Sequence, residues 1–546
     1  MKYLICYIFI LIAVNNVTGQ YMVDSMIYSK NYFPGTYDIN GRYLGSTETM
    51  SIVVHKGKLF AGMGNWMDYP ITPQSEGTQV LRKDTYNSPW VVDTSLGPES
   101  LRSEAILSVI FTKDYQGNTL NPPVNIIVGG FGDINPPRIV NIWVRNDITG
   151  KWIANNAYVL PTGSAGIRCF KIHTDKVTLK QWLFCGVAEG NIIKAGYNPN
   201  SQGYLFIDTA KELRNLGRVM AMTVCNGDLY AAAGLDIIGN DTVGGLYRRI
   251  DGVNPTWQLV YRWPYIPGQG DEQKIMRGIT TIPDPLNSNN QVIIGTRSHP
   301  GVIEIIQPFN NHNVYTELNV KSFLGTVWGV NYTGPSLMAY NYFEPDTLNN
   351  QKVWWVSLGA IHPNGNVHPY NGSYYLLRYQ NGTYKYGHIY DNNNPVPNGI
   401  SLRATRTICK SPFSQDSNRI YYFGGYDCAN DTSDNTSWIY KGRFVNTLSN
   451  IIILSNTNPG KYSLGQNYPN PFNPITNVKF EIPNTGRVNI TVYDVLGKEV
   501  AVLVNEPLQP GIYQVQFDAG NLPSGVYFYR LESFDYLYTK KLILMK

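Results

Sequence analysis

The sequence predicts an all-β chain, a seven-bladed β-propeller followed by a small immunoglobulin-like β-sandwich. Three observations carry that expectation. The composition, with 40 Tyr, 51 Gly and 33 Pro in 546 residues and few long helical periods, favours strands joined by turns. A strand–turn–strand pattern closing on glycine recurs seven times between residues 20 and 445. From residue 461 onward, short runs alternate apolar and polar residues between glycine turns.

The first element is an expected signal peptide over residues 1–19. Met1-Lys2 gives a basic start, Tyr3 to Val14 an apolar run too short to cross a bilayer, and Val17-Thr18-Gly19 a small-residue site before Gln20. Cys6 lies inside the apolar run rather than at the cut, which argues against a lipoprotein anchor. No later stretch approaches about 18 consecutive apolar residues, so no transmembrane segment is expected.

The propeller is expected over residues 20–445. Its clearest marker is the glycine ending each second strand: Gly62, Gly129-Gly130, Gly186, Gly234, Gly295, Gly359 and Gly424-Gly425. The period is roughly 50 to 65 residues, compatible with kelch-length blades carrying long loops. The third strand repeats too. Val80-Leu81-Arg82-Lys83-Asp84 leads to Trp90, Trp143-Val144-Arg145-Asn146-Asp147 to Trp152, Leu246 through Asp251 to Trp257, and Leu376 through Asn381 to Tyr384. An Asp or Asn there can bond its own backbone, and the aromatic anchors the outer strand against the next blade. These turns are similar to the Asp-box hairpins of sialidase-type propellers without the full Ser-x-Asp-x-Gly-x-Thr-Trp string. The similarity implies the fold and no activity. Radial four-stranded blades, which leave only short edges, explain such a run of repeats without helices.

In a propeller the first strands begin at one face and the loops after the second strands return to it. Arg102, Arg168, Arg218, Arg277 and Arg403, the last followed by Arg406, stand at or just before first strands, and Glu48 takes that place in the first blade. A guanidinium ring there suits carboxylates, sulfates or phosphates through forked bonds. The competing expectation is structural pairing with a neighbouring blade's carboxylate. The loops bring Asn65, Asp68, Asp133, Glu189, Asp236, Arg297, His299, His362, His368 and Asp427 to the same face, where binding specificity is usually built.

His299-Pro300-Gly301 and His362-Pro363-Asn364-Gly365 place imidazoles on adjacent blades, within reach of Arg277, Arg297 and Asp236. The pair His362 and His368 lacks the i, i+4 helical spacing of a zinc protease and a third ligand, so neither a metal nor a cofactor is expected. Asp133 with Glu189 or Asp236 could supply the paired carboxylates of a glycosidase. There is no nucleophile elbow, phosphate loop, dinucleotide fingerprint or EF-hand loop. A net charge of +5 over the whole chain is too small to argue for nucleic acid.

Signal removal leaves Cys169, Cys185, Cys225, Cys409 and Cys428, an odd number that requires at least one free thiol. Cys169 with Cys185, and Cys409 with Cys428, are the pairs that share a blade; buried thiols fit equally well. The Asn-x-Ser/Thr sites at Asn371 and Asn381 mark exposed loops. Residues 446–460, with Ile451-Ile452-Ile453-Leu454, are expected to be a linker or the strand that closes the ring; Tyr21 to Tyr37 competes for that closure.

The last segment, residues 461–546, alternates Val488, Ile490 and Val492, and again Tyr513, Val515 and Phe517, with polar neighbours, and has Gly497 and Gly525 at turns. Its motifs are Asn467-Tyr468-Pro469-Asn470-Pro471-Phe472-Asn473-Pro474, Val492 through Val500, Leu522 through Leu531, and a closing Lys540-Lys541-Leu542-Ile543-Leu544-Met545-Lys546. From Tyr462 to Lys546 that series resembles the type A C-terminal sorting domain of the bacterial type IX secretion system. The resemblance implies recognition by an outer-membrane translocon, then release or attachment at the cell surface.

Two functional expectations follow. One is a secreted or surface-displayed propeller that binds an extracellular glycan or protein ligand through its loop face. The alternative is an extracellular glycoside hydrolase or polysaccharide lyase acting on an anionic polysaccharide.

Overall fold

The computed structural model describes residues 26–65, 77–97, 100–133, 138–160, 166–188, 190–213, 218–238, 241–263, 276–297, 301–328, 330–332, 336–337, 343–348, 351–360, 373–390, 404–416, 420–426, 437–444, 452–455, 459–484, 486–508, 510–520, 522–534 and 536–546. The expected signal peptide lies outside them. The chain divides into two units, Asp24–Thr447 and Leu448–Lys546.

The first unit opens with β1 (Met26–Tyr32) and a two-residue ladder of β2 (Thr36–Tyr37) and β3 (Tyr43–Leu44). Antiparallel meanders of four strands then succeed one another. They are β4 (Glu48–His55), β5 (Lys58–Gly64), β6 (Gln79–Lys83) and β7 (Val91–Ser95); β8 (Ser100–Lys113), β9 (Thr119–Asp133), β10 (Arg138–Arg145) and β11 (Trp152–Leu160); and β12 (Ile167–Thr174), β13 (Gln181–Val187), β14 (Ile192–Tyr197) and β15 (Leu205–Leu213). Next come β16 (Val219–Cys225), β17 (Asp228–Ile238), β18 (Asp241–Ile250) and β19 (Thr256–Arg262), then β20 (Met276–Pro283), β21 (Gln291–Arg297), β22 (Val302–Gln307) and β23 (Asn313–Asn319). In the following sheet β24 (Ser336–Leu337) and β25 (Phe343–Leu348) both pair with β26 (Gln351–Ala360), which continues to β27 (Ser373–Tyr379) and β28 (Tyr384–His388). The last three strands are β29 (Ala404–Lys410), β30 (Ile420–Tyr426) and β31 (Ser437–Phe444), and β1 lies antiparallel along β31 with Met26 opposite Phe444.

The sheets trace a closed circuit through their first strands, except that the sixth meets the seventh through β26. β4 lies beside β8, β8 beside β12, β12 beside β16, β16 beside β20, β20 beside β25, β26 beside β29, and β29 beside β4. β4, β8 and β29 run in one direction. Glu48 pairs with both Gly64 and Tyr426, and Gly64 pairs with Arg102, so the starts of β4, β8 and β29 gather at one end. Further along, Thr223 of β16 and Thr281 of β20 bring their hydroxyls within 3.0 Å.

The recurring glycine has a steric reason. A Cβ on Gly62 would lie 2.3 Å from Ser103 Oγ, on Gly130 2.6 Å from Ile167 Cβ, on Gly186 2.7 Å from Val219 Cγ1 and on Gly424 2.5 Å from Thr49 Cγ2. Each of those neighbours belongs to the first strand of the next sheet, so the absent side chain is what lets adjacent sheets approach at the narrow inner end of the ring. Apolar faces fill the space between sheets. One cluster joins Tyr32, Ile52, Leu59, Tyr422 and Ile439 across β1, β4, β5, β30 and β31, and another joins Val128, Ile142, Leu183 and Ile193 across β9, β10, β13 and β14.

The run is not free of helix, contrary to expectation. α1 (Val320–Trp328) follows β23; Asn319 caps it, its Oδ1 accepting from Ser322 N at 3.0 Å, and Val320 and Leu324 are buried. Nine residues with a locally satisfied cap and an apolar face are enough for two turns against a sheet. No described helix is long and apolar enough to cross a membrane.

The second unit holds two sheets, β32 (Ile452–Ser455), β37 (Gly511–Asp518), β34 (Ile475–Ile482) and β33 (Ser463–Leu464) in one, and β36 (Glu499–Leu508), β35 (Gly486–Tyr493), β38 (Gly525–Ser533) and β39 (Tyr536–Leu544) in the other. Val478, Phe480, Val488, Ile490, Val492, Val515, Phe517, Tyr529 and Leu531 form one core, so the alternation points inward. The Ile452–Leu454 run lies in β32, paired with β37. The Asn-Tyr-Pro entry is a staple: Asn467 is buried and donates Nδ2 to Thr476 Oγ1 at 3.0 Å, while its N–H donates to Tyr529 Oη at 2.9 Å. Asn470 Oδ1 accepts from Ile543 N at 2.9 Å, tying the entry to the last strand.

Candidate functional site

The end of the first unit where the first strands begin is the candidate ligand face. Arg168 and Arg277 each stand second in β12 and β20, Arg218 directly before β16, and Arg297 ends β21 opposite Met276 of β20. Arg168, Arg277 and Arg297 are only 4, 7 and 6 % exposed, so they line the strand ends with most of their surface covered, while Arg218 is half-buried. Arg297 forks onto Glu304 of β22, Nε to Oε2 at 2.9 Å and Nη2 to Oε1 at 2.7 Å, leaving its buried Nη1 without a hydrogen-bond partner among the described residues. Glu304 was not marked by the sequence; its place on β22 opposite Gly295, two pairs from Arg297, is what brings it under the guanidinium.

The other candidates divide. Arg102, Asp133 and Asp236 are placed by backbone alone, Arg102 opposite Gly132, Asp133 opposite Ser100 at the same end, and Asp236 opposite Val243. Arg403, Glu189, His299, His362 and Asp427, with His368 and Asp68, lie outside the described residues. Glu48 and Arg406, expected at neighbouring strand starts, meet at 3.1 Å, and the Arg406 guanidinium sits 4.3 Å from the Tyr426 ring centroid. There the pairing between neighbouring sheets prevails over a ligand-facing role. No group of three or more metal-ligating side chains occurs among the described residues.

The opposite end holds a recurrent side-chain clasp. Asp93 of β7, its side chain 1 % exposed, receives Arg145 Nε at 2.7 Å and Nη2 at 3.0 Å from β10, Trp152 Nε1 at 2.7 Å from β11, and a short bond from Arg82. Glu212 of β15 receives Arg249 Nε at 2.8 Å and Nη2 at 3.0 Å, Trp257 Nε1 at 3.2 Å and Lys194 Nζ at 2.6 Å. Glu317 of β23 receives Arg378 Nε at 2.8 Å, Nη2 at 2.6 Å and the Tyr384 hydroxyl. In each case the third-strand arginine and fourth-strand aromatic of one sheet seize a carboxylate on the fourth strand of the sheet before. Trp90 Nε1 likewise donates to Asn31 Oδ1 at 2.7 Å, and Asn31 is on β1. Burial alone would raise the Glu212 carboxyl, but the Arg249 and Lys194 bonds outweigh it and hold it below its usual range.

One clasp mimics a catalytic set. Asp147 Oδ2 lies 2.9 Å from His55 Nε2, and His55 Nδ1 lies 2.9 Å from Ser108 Oγ, the carboxylate–imidazole–hydroxyl order of a nucleophilic triad. Two observations assign it to the clasp. Ser108 Oγ donates to Asn125 Oδ1 at 3.0 Å, and the same imidazole–carboxylate contact recurs between His173 and Asp251 at 3.0 Å. Asp147 and Asp251 each follow a clasp arginine by two residues. Arg145 Nη1 reaches Asp147 at 2.9 Å, and Arg249 also bonds Asp251. Desolvation pushes Asp147 up, yet the bonds from His55, Lys56 and Arg145 pull it far below the usual carboxylate range.

Cys169, Cys185, Cys225 and Cys409 are free and buried; burial drives the Cys169 and Cys225 thiols up to about 12, so neither is a nucleophile at neutral pH. Cys428 lies outside the described residues. Asn381 Oδ1 accepts from Thr383 N at 3.1 Å and from its hydroxyl at 2.7 Å, closing the β27–β28 turn.

Residues 466–545 match the sequence family described as a secretion system C-terminal sorting domain. This segment is a type IX sorting domain, so the protein is exported to the cell surface or secreted and meets the type IX secretion machinery through its C-terminal unit. No curated protein matches the chain. Among solved structures, the chain is similar to the sialidase of Trypanosoma rangeli in complex with 2,3-difluorosialic acid, at 10 % identity and a TM-score of 0.36, covering 95 % of this chain and 88 % of that one. It is also similar to Sqt1 of Chaetomium thermophilum bound to the N-terminus of a ribosomal protein, at 7 % identity and a TM-score of 0.36, covering 75 and 99 %. An arabinoxylan arabinofuranohydrolase of Bacillus subtilis in complex with cellotetraose gives 9 % identity and a TM-score of 0.27, covering 92 and 97 %. At these scores the likenesses carry no argument about function; the antiparallel meanders and their closed circuit carry the fold.

Proposed function

We propose that residues 26–444 form a seven-bladed propeller acting as an exported binding module, which captures an anionic glycan or a protein ligand at the end where its first strands begin. Three features support the blade count: the closed circuit of sheets, β1 lying as the fourth strand beside β31, and the bond from Trp90 to Asn31, which reproduces at that junction the relation of Trp152 to Asp93. On this reading the closing strand is N-terminal, and the sorting unit, an immunoglobulin-like sandwich of two four-stranded sheets, begins with β32.

The observation that carries the ligand face is the gathering of Arg168, Arg218, Arg277 and Arg297 at one end, where the variable loops after the second strands also leave. Forked guanidinium donors at a mouth recognise carboxylate, sulfate or phosphate. At the opposite end, Arg145, Arg249 and Arg378 are paired with Asp93, Glu212 and Glu317 in the clasps.

The test is a glycan array probed with the full-length protein, with mass spectrometry of each retained glycan. Retention of acidic glycans without cleavage, weakened about tenfold or more by Arg218→Gln with Arg277→Gln, supports the proposal. Cleavage of a retained glycan would replace it with a hydrolase or lyase, and retention unaltered by the double substitution would move the ligand elsewhere.

A further inference from the structure

The C-terminal unit holds a cleft that export does not account for. Gly460, Lys461, Tyr462, Pro483, Asn484 and Tyr536 line a cavity of about 570 Å³ at one end of the sandwich, where the entry to β33, the β34–β35 turn and the start of β39 meet. Two of its lining rings, Tyr462 and Tyr536, begin a row of nearly parallel rings that continues beyond it to Tyr538. Tyr462 and Tyr536 have centroids 5.2 Å apart with planes 20° apart, and Tyr536 and Tyr538 follow at 6.2 Å and 19°. The row is not closed off, since Tyr538 is 49 % exposed. The Tyr462 hydroxyl is buried without a hydrogen-bond partner among the described residues, and Lys461 and Asn484 stand exposed at the rim.

We propose that this cleft is a saccharide site taking one or two pyranose rings. A pyranose presents C–H bonds on one face and hydroxyls around its edge, and the cleft presents the complement. The Tyr462 and Tyr536 rings with Pro483 supply the apolar wall, and the Lys461 ammonium and the Asn484 amide supply polar groups at its margin. The volume falls in the range of small-ligand sites, about 300–1,000 Å³. A protein partner would need a broader patch than six residues provide. Export sets the unit among the glycans of the cell exterior. This site is separate from the propeller face, so the two stand or fall independently.

The experiment is saturation-transfer NMR and titration of the full-length protein with cellobiose, chitobiose and mannobiose, and with an octaproline peptide as the competing kind of ligand. At least one disaccharide is expected to bind, with saturation concentrated on its ring C–H protons. Tyr536→Ala should weaken it about tenfold, while Arg277→Gln leaves it unchanged. Asn484→Ala, at an exposed position of the rim, gives the same readout if Tyr536→Ala does not fold. Absence of binding by all three sugars, binding of octaproline alone, wild-type affinity in Tyr536→Ala or Asn484→Ala, or loss of binding in Arg277→Gln would each overturn the proposal.

Discussion

Replacing Asp93 with alanine tests whether the clasps hold the sheets together. Asp93 is almost wholly buried and serves Arg145 through two bonds, Trp152 through one and Arg82 through another. Truncation leaves the Trp152 N–H unsatisfied and strips the Arg145 guanidinium, whose side chain is 8 % exposed, of its main counter-charge. Removing one partner of a buried ion pair costs about 3–5 kcal/mol. Asp147 still serves Arg145 and Asp84 still serves Arg82, which places the expected loss near the lower limit, about 3 kcal/mol. With a urea slope of about 3 kcal/mol/M, the midpoint should fall by about 1 M.

Tryptophan fluorescence reads the right unit, because all 11 tryptophans precede residue 439 and none lies in the sorting unit. Adding Arg145→Met to Asp93→Ala should recover part of the loss, since an apolar side chain tolerates a site that an unpaired cation does not. A midpoint within about 0.2 M of wild type would refute the reasoning. So would strict additivity of the two substitutions, which contacting residues should not show.

Two further outcomes follow from the packing and the charges. Gly130→Ala places a Cβ 2.6 Å from Ile167 Cβ and 2.8 Å from Ile167 O, a backbone atom that cannot swing away; a loss of about 1–3 kcal/mol is expected in the same urea assay. Gly97→Ala is no clean control because its φ is +84°, so the comparison is Ala105→Gly, which opens no clash. Burial, and then the Asp346 carboxylate, push the half-buried Glu344 up to about 7. The folded protein therefore keeps a proton between about pH 4 and pH 7 that the unfolded chain releases, and stability falls as pH rises through that window. Glu344→Gln should raise the melting temperature by about 2–4 °C at pH 8 and leave it unchanged near pH 4; an equal gain at both would assign the effect to packing instead.

Much of the frame was legible because it rests on local rules. The alternation of Val488, Ile490 and Val492 required a two-faced strand, and those side chains do form the core of the sorting unit. The glycine was visible as a repeat at seven places, but its cause was not, since Gly130 meets Ile167 37 positions away across a sheet junction. The third-strand basic residues and the aromatics after them were also visible. What escaped was their carboxylate: Asp93, Glu212 and Glu317 occupy no shared motif and are brought under Arg145, Arg249 and Arg378 by the neighbouring sheet. α1 was missed because nine residues are shorter than the window over which a helical period stands out from strand-rich surroundings.

The candidate site shows the same division. Arginines at strand starts could be counted in the sequence, yet Arg406 meeting Glu48 and Arg297 forking onto Glu304 depend on which strands lie side by side. The sequence by itself determined the all-β class, the repeat and the export signal, since strand periodicity, turn glycines and a contiguous sorting motif are properties of neighbours along the chain. Only the tertiary structure decided that β1 pairs with β31, that Ile452–Ser455 joins β37, and that His55, Asp147 and Ser108 form a clasp. Those outcomes depend on contacts between residues tens to hundreds of positions apart, where closing the ring and burying charge select partners that no local pattern encodes.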